Sequence, residues 1–87
     1  MKEVSVEAFA LTFYGHQIQI DMMTEECGEL ITVLNHWRRA RATKEDVAAE
    51  IADVEIVLTQ MKMIFGVELV KKKRLEKLER LKERINQ

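Results

Sequence analysis

The sequence predicts an all-α protein: a small bundle of about four helices in a single domain spanning residues 1–87, completed by oligomerisation. Three observations predict it. The 87 residues include no proline and three glycines, so long stretches run without a breaker. Apolar side chains recur at helical spacing, and no segment shows the period-two alternation of a half-buried strand. An apolar content of 47% is ample for a core, yet a chain this short buries little surface alone, and short domains commonly recruit a partner subunit.

The elements follow in order. A short first helix is expected from about Val4 to Tyr14, with Ser5 as its cap and Phe9, Phe13 and Tyr14 as its apolar weight; Gly15 bends or ends it. A long helix is expected from about His16 to Ala42, with Arg38, Arg39 and Arg41 at its end, where cations suit the helix dipole. Thr43 caps the third helix, Glu45 and Asp46 occupy its first turn, and the Thr-x-x-Asp spacing resembles a capping box. That helix ends near Phe65 and Gly66. The last runs from about Glu68 to Asn86, with Val70, Leu75, Leu78, Leu81 and Ile85 as its buried side. Brief connections between such segments make a helical bundle.

Within this frame the stretch from Glu25 to Asp53 is the place for chemistry. Glu26 and Glu29 stand three residues apart, as do Glu50 and Asp53, and residues so spaced share a helix face. At about 100° per residue, Glu26 and Glu29 fall among Ile18, Met22, Leu30, Val33 and Trp37, the stripe this helix buries. Glu50 and Asp53 flank the stripe of Val47, Ile51, Val54, Leu58, Met61 and Phe65. Both pairs therefore point inward. Withdrawing an ion from water costs several kcal/mol, so four converging carboxylates need a compensating positive charge. Hard oxygens with no His or Cys beside them favour Mg²⁺, or Mn²⁺, over zinc. Cys27 points away from Glu26 and Glu29, and neither His16 nor His36 has metal-ligand spacing.

The pattern Glu-Glu-x-x-Glu, followed some twenty residues later by Glu-x-x-Asp, resembles the MazG-like branch of the all-α nucleoside triphosphate pyrophosphohydrolases, over about Gly15 to Arg84. The resemblance implies Mg²⁺ held by Glu26, Glu29, Glu50 and Asp53, the same four acids that the periodicity selects. It implies hydrolysis of a nucleoside triphosphate to monophosphate and pyrophosphate, with the metal activating water for attack at the α-phosphorus. Glu25 would orient a ligand or the water, or else be solvated at the edge of the stripe.

A triphosphate also needs cations. The run Lys77, Leu78, Glu79, Arg80 looks like the basic segment that MazG-like enzymes set on their last helix against substrate phosphates, which points to Lys77 and Arg80, with Arg74 next; a solvated face whose stems cover apolar surface is the alternative for each. Gln19, six positions before Glu25, matches a Gln frequent in similar sequences, and Trp37 is two turns past Glu29; either would touch a nucleobase, Trp37 being otherwise a core or interface residue. Met22 stands where many relatives have a Lys, a departure bearing on one phosphate contact.

The charge is unevenly spread. Residues 1–70 carry 6 basic and 12 acidic side chains, a balance of −6, and residues 71–87 carry 8 basic and 3 acidic, a balance of +5, which together give −1. A basic tail also suits nucleic acid, but Glu76, Glu79 and Glu83 lace this one, which argues against a phosphate-backbone ligand. No Gly-rich phosphate loop is present, which excludes P-loop and dinucleotide folds. A single Cys, no signal peptide and no apolar run near ~20 residues predict a cytoplasmic protein off the membrane, a homodimer or homotetramer, with part of the substrate pocket supplied by the neighbouring subunit. A dUTP-preferring hydrolase or a phosphoribosyl-ATP pyrophosphohydrolase would use the same acidic helices, and a non-catalytic helical dimerisation module is the reading from another class.

Overall fold

The computed structural model describes residues 3–87, with side chains over 6–87, and folds them into four α-helices with no strand among the described residues: α1 (Glu3–Tyr14), α2 (His16–Arg38), α3 (Lys44–Phe65) and α4 (Val67–Ile85). The cap expected at Ser5 concerns a side chain outside those described. Among the described residues no helix is long and apolar enough to cross a membrane.

Each break in the helical run has a local cause. Gly15 separates α1 from α2 with φ 92° and ψ 158°, a backbone region that a Cβ disfavours, and its N–H still closes the last turn of α1 on the Leu11 carbonyl at 2.9 Å. The second helix was expected to reach Ala42 but stops at Arg38. Ala40 takes the left-handed conformation at φ 58°, and its N–H bonds the Trp37 carbonyl at 3.0 Å while that of Arg41 reaches the His36 carbonyl at 2.8 Å. These two bonds are the Schellman pair, so the arginine-rich segment is a turn rather than a last helical turn. The third helix starts as its sequence foretold. Thr43 Oγ1 accepts from the Asp46 N–H at 3.1 Å and Asp46 Oδ2 accepts from the Thr43 N–H at 2.8 Å, a complete capping box, and these bonds hold the Asp46 carboxyl below its ordinary value.

Helices α2 and α3 form an antiparallel hairpin, with α1 laid across its open end against both. The joint between the three is polar. Gln60, 2% exposed, accepts through Oε1 from Gln19 Nε2 and donates through Nε2 to the Glu7 carbonyl at 3.1 Å. Because both polar ends of the Gln60 amide have partners, its burial fixes the helix register at little cost. Among the described residues only Leu11 and Val57 are buried hydrophobics.

The expected buried stripes are therefore largely open. Ile18, Trp37, Ile51, Leu58 and Phe65 are exposed, and on α4 so are Leu75, Leu78, Leu81 and Ile85, at 43–72%. The reason is the path of α4, which meets only α3 and leaves the bundle without its fourth wall. The radius of gyration, 15.7 Å, exceeds the roughly 12 Å of a compact chain this long.

Candidate metal centre

Heptad spacing on two antiparallel helices builds the site. Seven residues make close to two turns, so Glu26 stacks above Gln19 on α2 and Asp53 above Gln60 on α3; one turn further lie Glu29 and Glu50. A step of seven, then three, along α2 is matched by equal steps back along α3. The register that pairs the two glutamines therefore also brings Glu26 level with Asp53 and Glu29 level with Glu50.

The four carboxyl groups meet. Glu26, Glu29, Glu50 and Asp53 each offer one oxygen, and these oxygens all lie within 4.8 Å of one another. Glu26 and Glu50 are half-buried, Glu29 and Asp53 are exposed, and Glu26 Oε2 and Glu50 Oε2 are buried without a hydrogen-bond partner. Burial first, then the charges of Glu29, Asp53 and Glu50, raise the Glu26 carboxyl above its ordinary value. Glu50 is raised by burial and then by the charges of Glu29 and Asp53. Like charges gathered in a partly desolvated place resist ionising together.

The donor set fits a small hard cation. At Mg–O distances of about 2.0–2.1 Å, oxygens on opposite sides of the ion stand roughly 4.2 Å apart, so small side-chain adjustments bring the four within reach of a common ion. Two orphaned buried oxygens are also the feature such an ion would satisfy.

Clefts open on both sides of the carboxylates. One, of about 420 Å³, is lined by Tyr14, Ile18, Gln19, Met22, Glu26, Asp53 and neighbouring apolar residues of α1 and α3. The other, about 510 Å³, is lined by Glu25, Gly28, Glu29, Thr32 and Glu50. Neither is lined by a lysine or arginine. Glu25 is exposed at the rim of the second cleft. Gln19 lies in the first, its amide already engaged by Gln60. Trp37 is half-exposed in a separate apolar recess of about 260 Å³ with Leu34, Lys44, Val47, Ala48 and Ile51. Arg74, Lys77 and Arg80 are exposed on α4, and none of them lines either cleft beside the carboxylates.

Two residues of this region escaped the sequence reading. Tyr14 was counted as apolar weight but lines the first cleft. Gln60 passed unremarked, although its place two turns beyond Asp53 on the inward stripe was a usable signal. The chain matches no protein-family model, no curated protein and no solved structure.

Proposed function

We propose that the chain is a Mg²⁺-dependent nucleoside triphosphate pyrophosphohydrolase of the MazG-like all-α type, converting a (d)NTP to its monophosphate and pyrophosphate. The observation that carries this reading is the meeting of four carboxylates from two helices, two of their oxygens buried and unpartnered. Glu26, Glu29, Glu50 and Asp53 would hold the ion, with Mn²⁺ as a substitute. Bound there, Mg²⁺ supplies charge neutralisation for the triphosphate and lowers the pKa of water.

The chain's own residues do the rest. The half-buried Glu26 and Glu50 present oxygens that water does not fully solvate, which strengthens their hold on a cation. Glu25, beside Glu29 at the rim of the polar cleft, orients a ligand or the attacking water. The apolar cleft of Tyr14, Ile18 and Met22, which Glu26, Asp53, Gln19 and Gln60 also line, offers hydrophobic surface to a base or sugar. Trp37 lies in a different recess, on the far side of Glu50, and is the alternative base contact. Lys77, Arg80 and Arg74 are the cations available for the phosphates, Met22 standing where a nearer one would be.

A non-catalytic helical module is the second reading, favoured by the exposed leucines of α4; it assigns no purpose to the orphaned carboxylate oxygens. Chromatography of products over all common NTPs and dNTPs, together with dUTP and phosphoribosyl-ATP, with Mg²⁺ and with EDTA, separates the readings. Turnover abolished by EDTA is expected, and a preference for dUTP or phosphoribosyl-ATP would place the chain with those hydrolases. No turnover of any triphosphate leaves the module.

A further inference from the structure

We infer that Gln60 is a positioning residue that sets specificity: through Gln19 it gives the cleft beside Glu26 and Asp53 one fixed hydrogen-bonding polarity. Of two nucleobases paired as cytosine and uracil are, with an amino group on one where the other has a keto oxygen, the cleft takes one and refuses the other. That the ligand is a nucleotide base rests on the hydrolase reading above; the fixed polarity does not.

A glutamine amide joins an accepting oxygen to a donating NH₂ of nearly the same shape, so which end faces a ligand is set by the bonds around it. Here those bonds leave no choice. Glu7 presents its backbone carbonyl, which only accepts, and Gln60 Nε2 donates to it at 3.1 Å. Gln60 Oε1 is thereby turned to Gln19, where it accepts from Nε2. Gln60 is 2% exposed, so turning it over would set its oxygen against the Glu7 carbonyl and its NH₂ against the Gln19 NH₂, with both left unpaired and away from water. Gln19 therefore inherits its polarity from a backbone atom of α1, which cannot turn.

What Gln19 has left faces the cleft. Gln19 is 8% exposed, and its one side-chain bond to a described residue is made through Nε2, which leaves Oε1 without a donor. Among the described residues the buried side-chain atoms lacking a partner belong to Glu26 and Glu50 alone, so Gln19 Oε1 is not sealed in the interior. It opens on the cleft of about 420 Å³ that Gln19 lines with Tyr14, Ile18, Met22, Glu26 and Asp53. A triphosphate held through an ion at Glu26 and Asp53 sets the rest of its nucleotide beside this wall.

A fixed acceptor reads bases by their polarity. Cytosine carries a donor at its amino group and an acceptor at N3; uracil carries the reverse, a keto oxygen and an N3–H. In any one seating the Gln19 oxygen meets a donor on one base and an acceptor on the other, and adenine and guanine are opposed in the same way. A site built to bond an N–H rejects a ligand lacking it more strongly than an apolar wall rejects a changed shape. For a half-open cleft, one bond made against one pair opposed amounts to about 10–100-fold in kcat/KM. An amide free to turn serves both bases and separates neither.

Two substitutions at residue 60 that differ in hydrogen-bonding character test the inference, read as the ratio of kcat/KM for dCTP and dUTP. The wild type is expected to favour one of them by about 10–100-fold. Gln60→Glu keeps an acceptor toward Gln19 Nε2 and keeps the preference, although it loses the bond to the Glu7 carbonyl. Gln60→Met removes both bonds, frees the Gln19 amide to turn, and brings the ratio to within about threefold of unity. A role in stability alone moves neither ratio. Equal kcat/KM in the wild type, a preference undiminished in Gln60→Met, or one lost equally in both variants overturns the inference. Binding is read without turnover, and without any variant, from the side-chain NH₂ signals of Gln19 and Gln60 in ¹⁵N-labelled wild-type protein titrated in EDTA with cytidine and with uridine, both uncharged. One nucleoside is expected to shift the Gln19 signal at concentrations where the other does not; equal shifts, or none, overturn the inference. A selective shift in a protein that hydrolyses no triphosphate sustains the fixed polarity while refuting the hydrolase.

Discussion

Replacing Glu29 by Gln distinguishes a metal centre from a set of structural ion pairs, because the two give opposite signs for stability. Among the described residues the one salt bridge is Lys73–Glu76 at 3.5 Å, far along α4, so none of the four acids holds a cation in place. Glu29 is instead the largest charge influence on both Glu26 and Glu50. Removing its charge relieves both neighbours, so the metal-free Glu29→Gln variant should melt at or above the wild-type temperature. Mg²⁺ should then behave differently on the two proteins. At a concentration a hundredfold above its Kd, a ligand of the folded state stabilises by about 2.7 kcal/mol, and at 4–8 °C per kcal/mol for a domain of this size the wild-type midpoint should rise by roughly 10–20 °C. The variant should lose most of that increment together with its activity. If Glu29 were paired with a buried cation, its loss would cost about 3–5 kcal/mol, a fall of more than about 12 °C in EDTA. Melting curves of both proteins, each with EDTA and with Mg²⁺, read all four values. A strongly destabilised variant in EDTA, with no Mg²⁺ response in the wild type, refutes the metal centre.

Other consequences follow from the same geometry. Glu26 and Glu50 bind protons more tightly folded than unfolded, so the stability they contribute to the metal-free protein is full below the ordinary value of 4.5 and is lost as pH rises through their raised values; Asp46 acts oppositely, its contribution lost as pH falls through its lowered value. Urea midpoints in EDTA from pH 5 to 8 should therefore fall less in the Glu26→Gln/Glu50→Gln variant than in the wild type, and equal slopes would refute the crowding of these acids. Gln60→Leu strands the Gln19 amide and should cost about 1–3 kcal/mol, whereas Gln19→Leu/Gln60→Leu should cost less than the sum of the single changes; additive losses in denaturant titrations would show the pair to be uncoupled. Ala40→Gly should stabilise by about 0.5–1 kcal/mol, the left-handed strain relieved less the added freedom of the unfolded chain, and a lowered melting temperature would contradict the Schellman turn.

Much of this architecture was legible because its determinants are local. Thr43 and Asp46 announce the start of α3 through a bond pattern that needs only four residues, and Gly15 and Gly66 mark breaks because they alone tolerate the backbone found there. The four carboxylates were legible because equal turns on two antiparallel helices make a face predictable before the helices are docked. The end of α2 was hidden: Ala40 occupies a left-handed position where glycine is the usual sign, so helical propensity seemed to run on to Ala42. Burial was the larger misreading. Periodicity correctly groups Leu75, Leu78, Leu81 and Ile85 on one side of α4, but whether that side is covered depends on where the one-residue connection at Gly66 lets the helix travel, and that is a property of the chain's path rather than of its pattern. Gln60 was missed for a related reason. A glutamine on an inward stripe becomes meaningful only when a second one, on another helix, arrives opposite it.

The central claim is that these carboxylates direct cleavage of a nucleoside triphosphate between its α- and β-phosphorus. Phosphorus-31 NMR of the wild type with Mg²⁺ and the preferred triphosphate reads the broken bond directly. Monophosphate and pyrophosphate appearing together, and neither appearing with Glu50→Gln or in EDTA, is the predicted result. Orthophosphate released with a diphosphate, or spectra unaffected by the substitution, would contradict it.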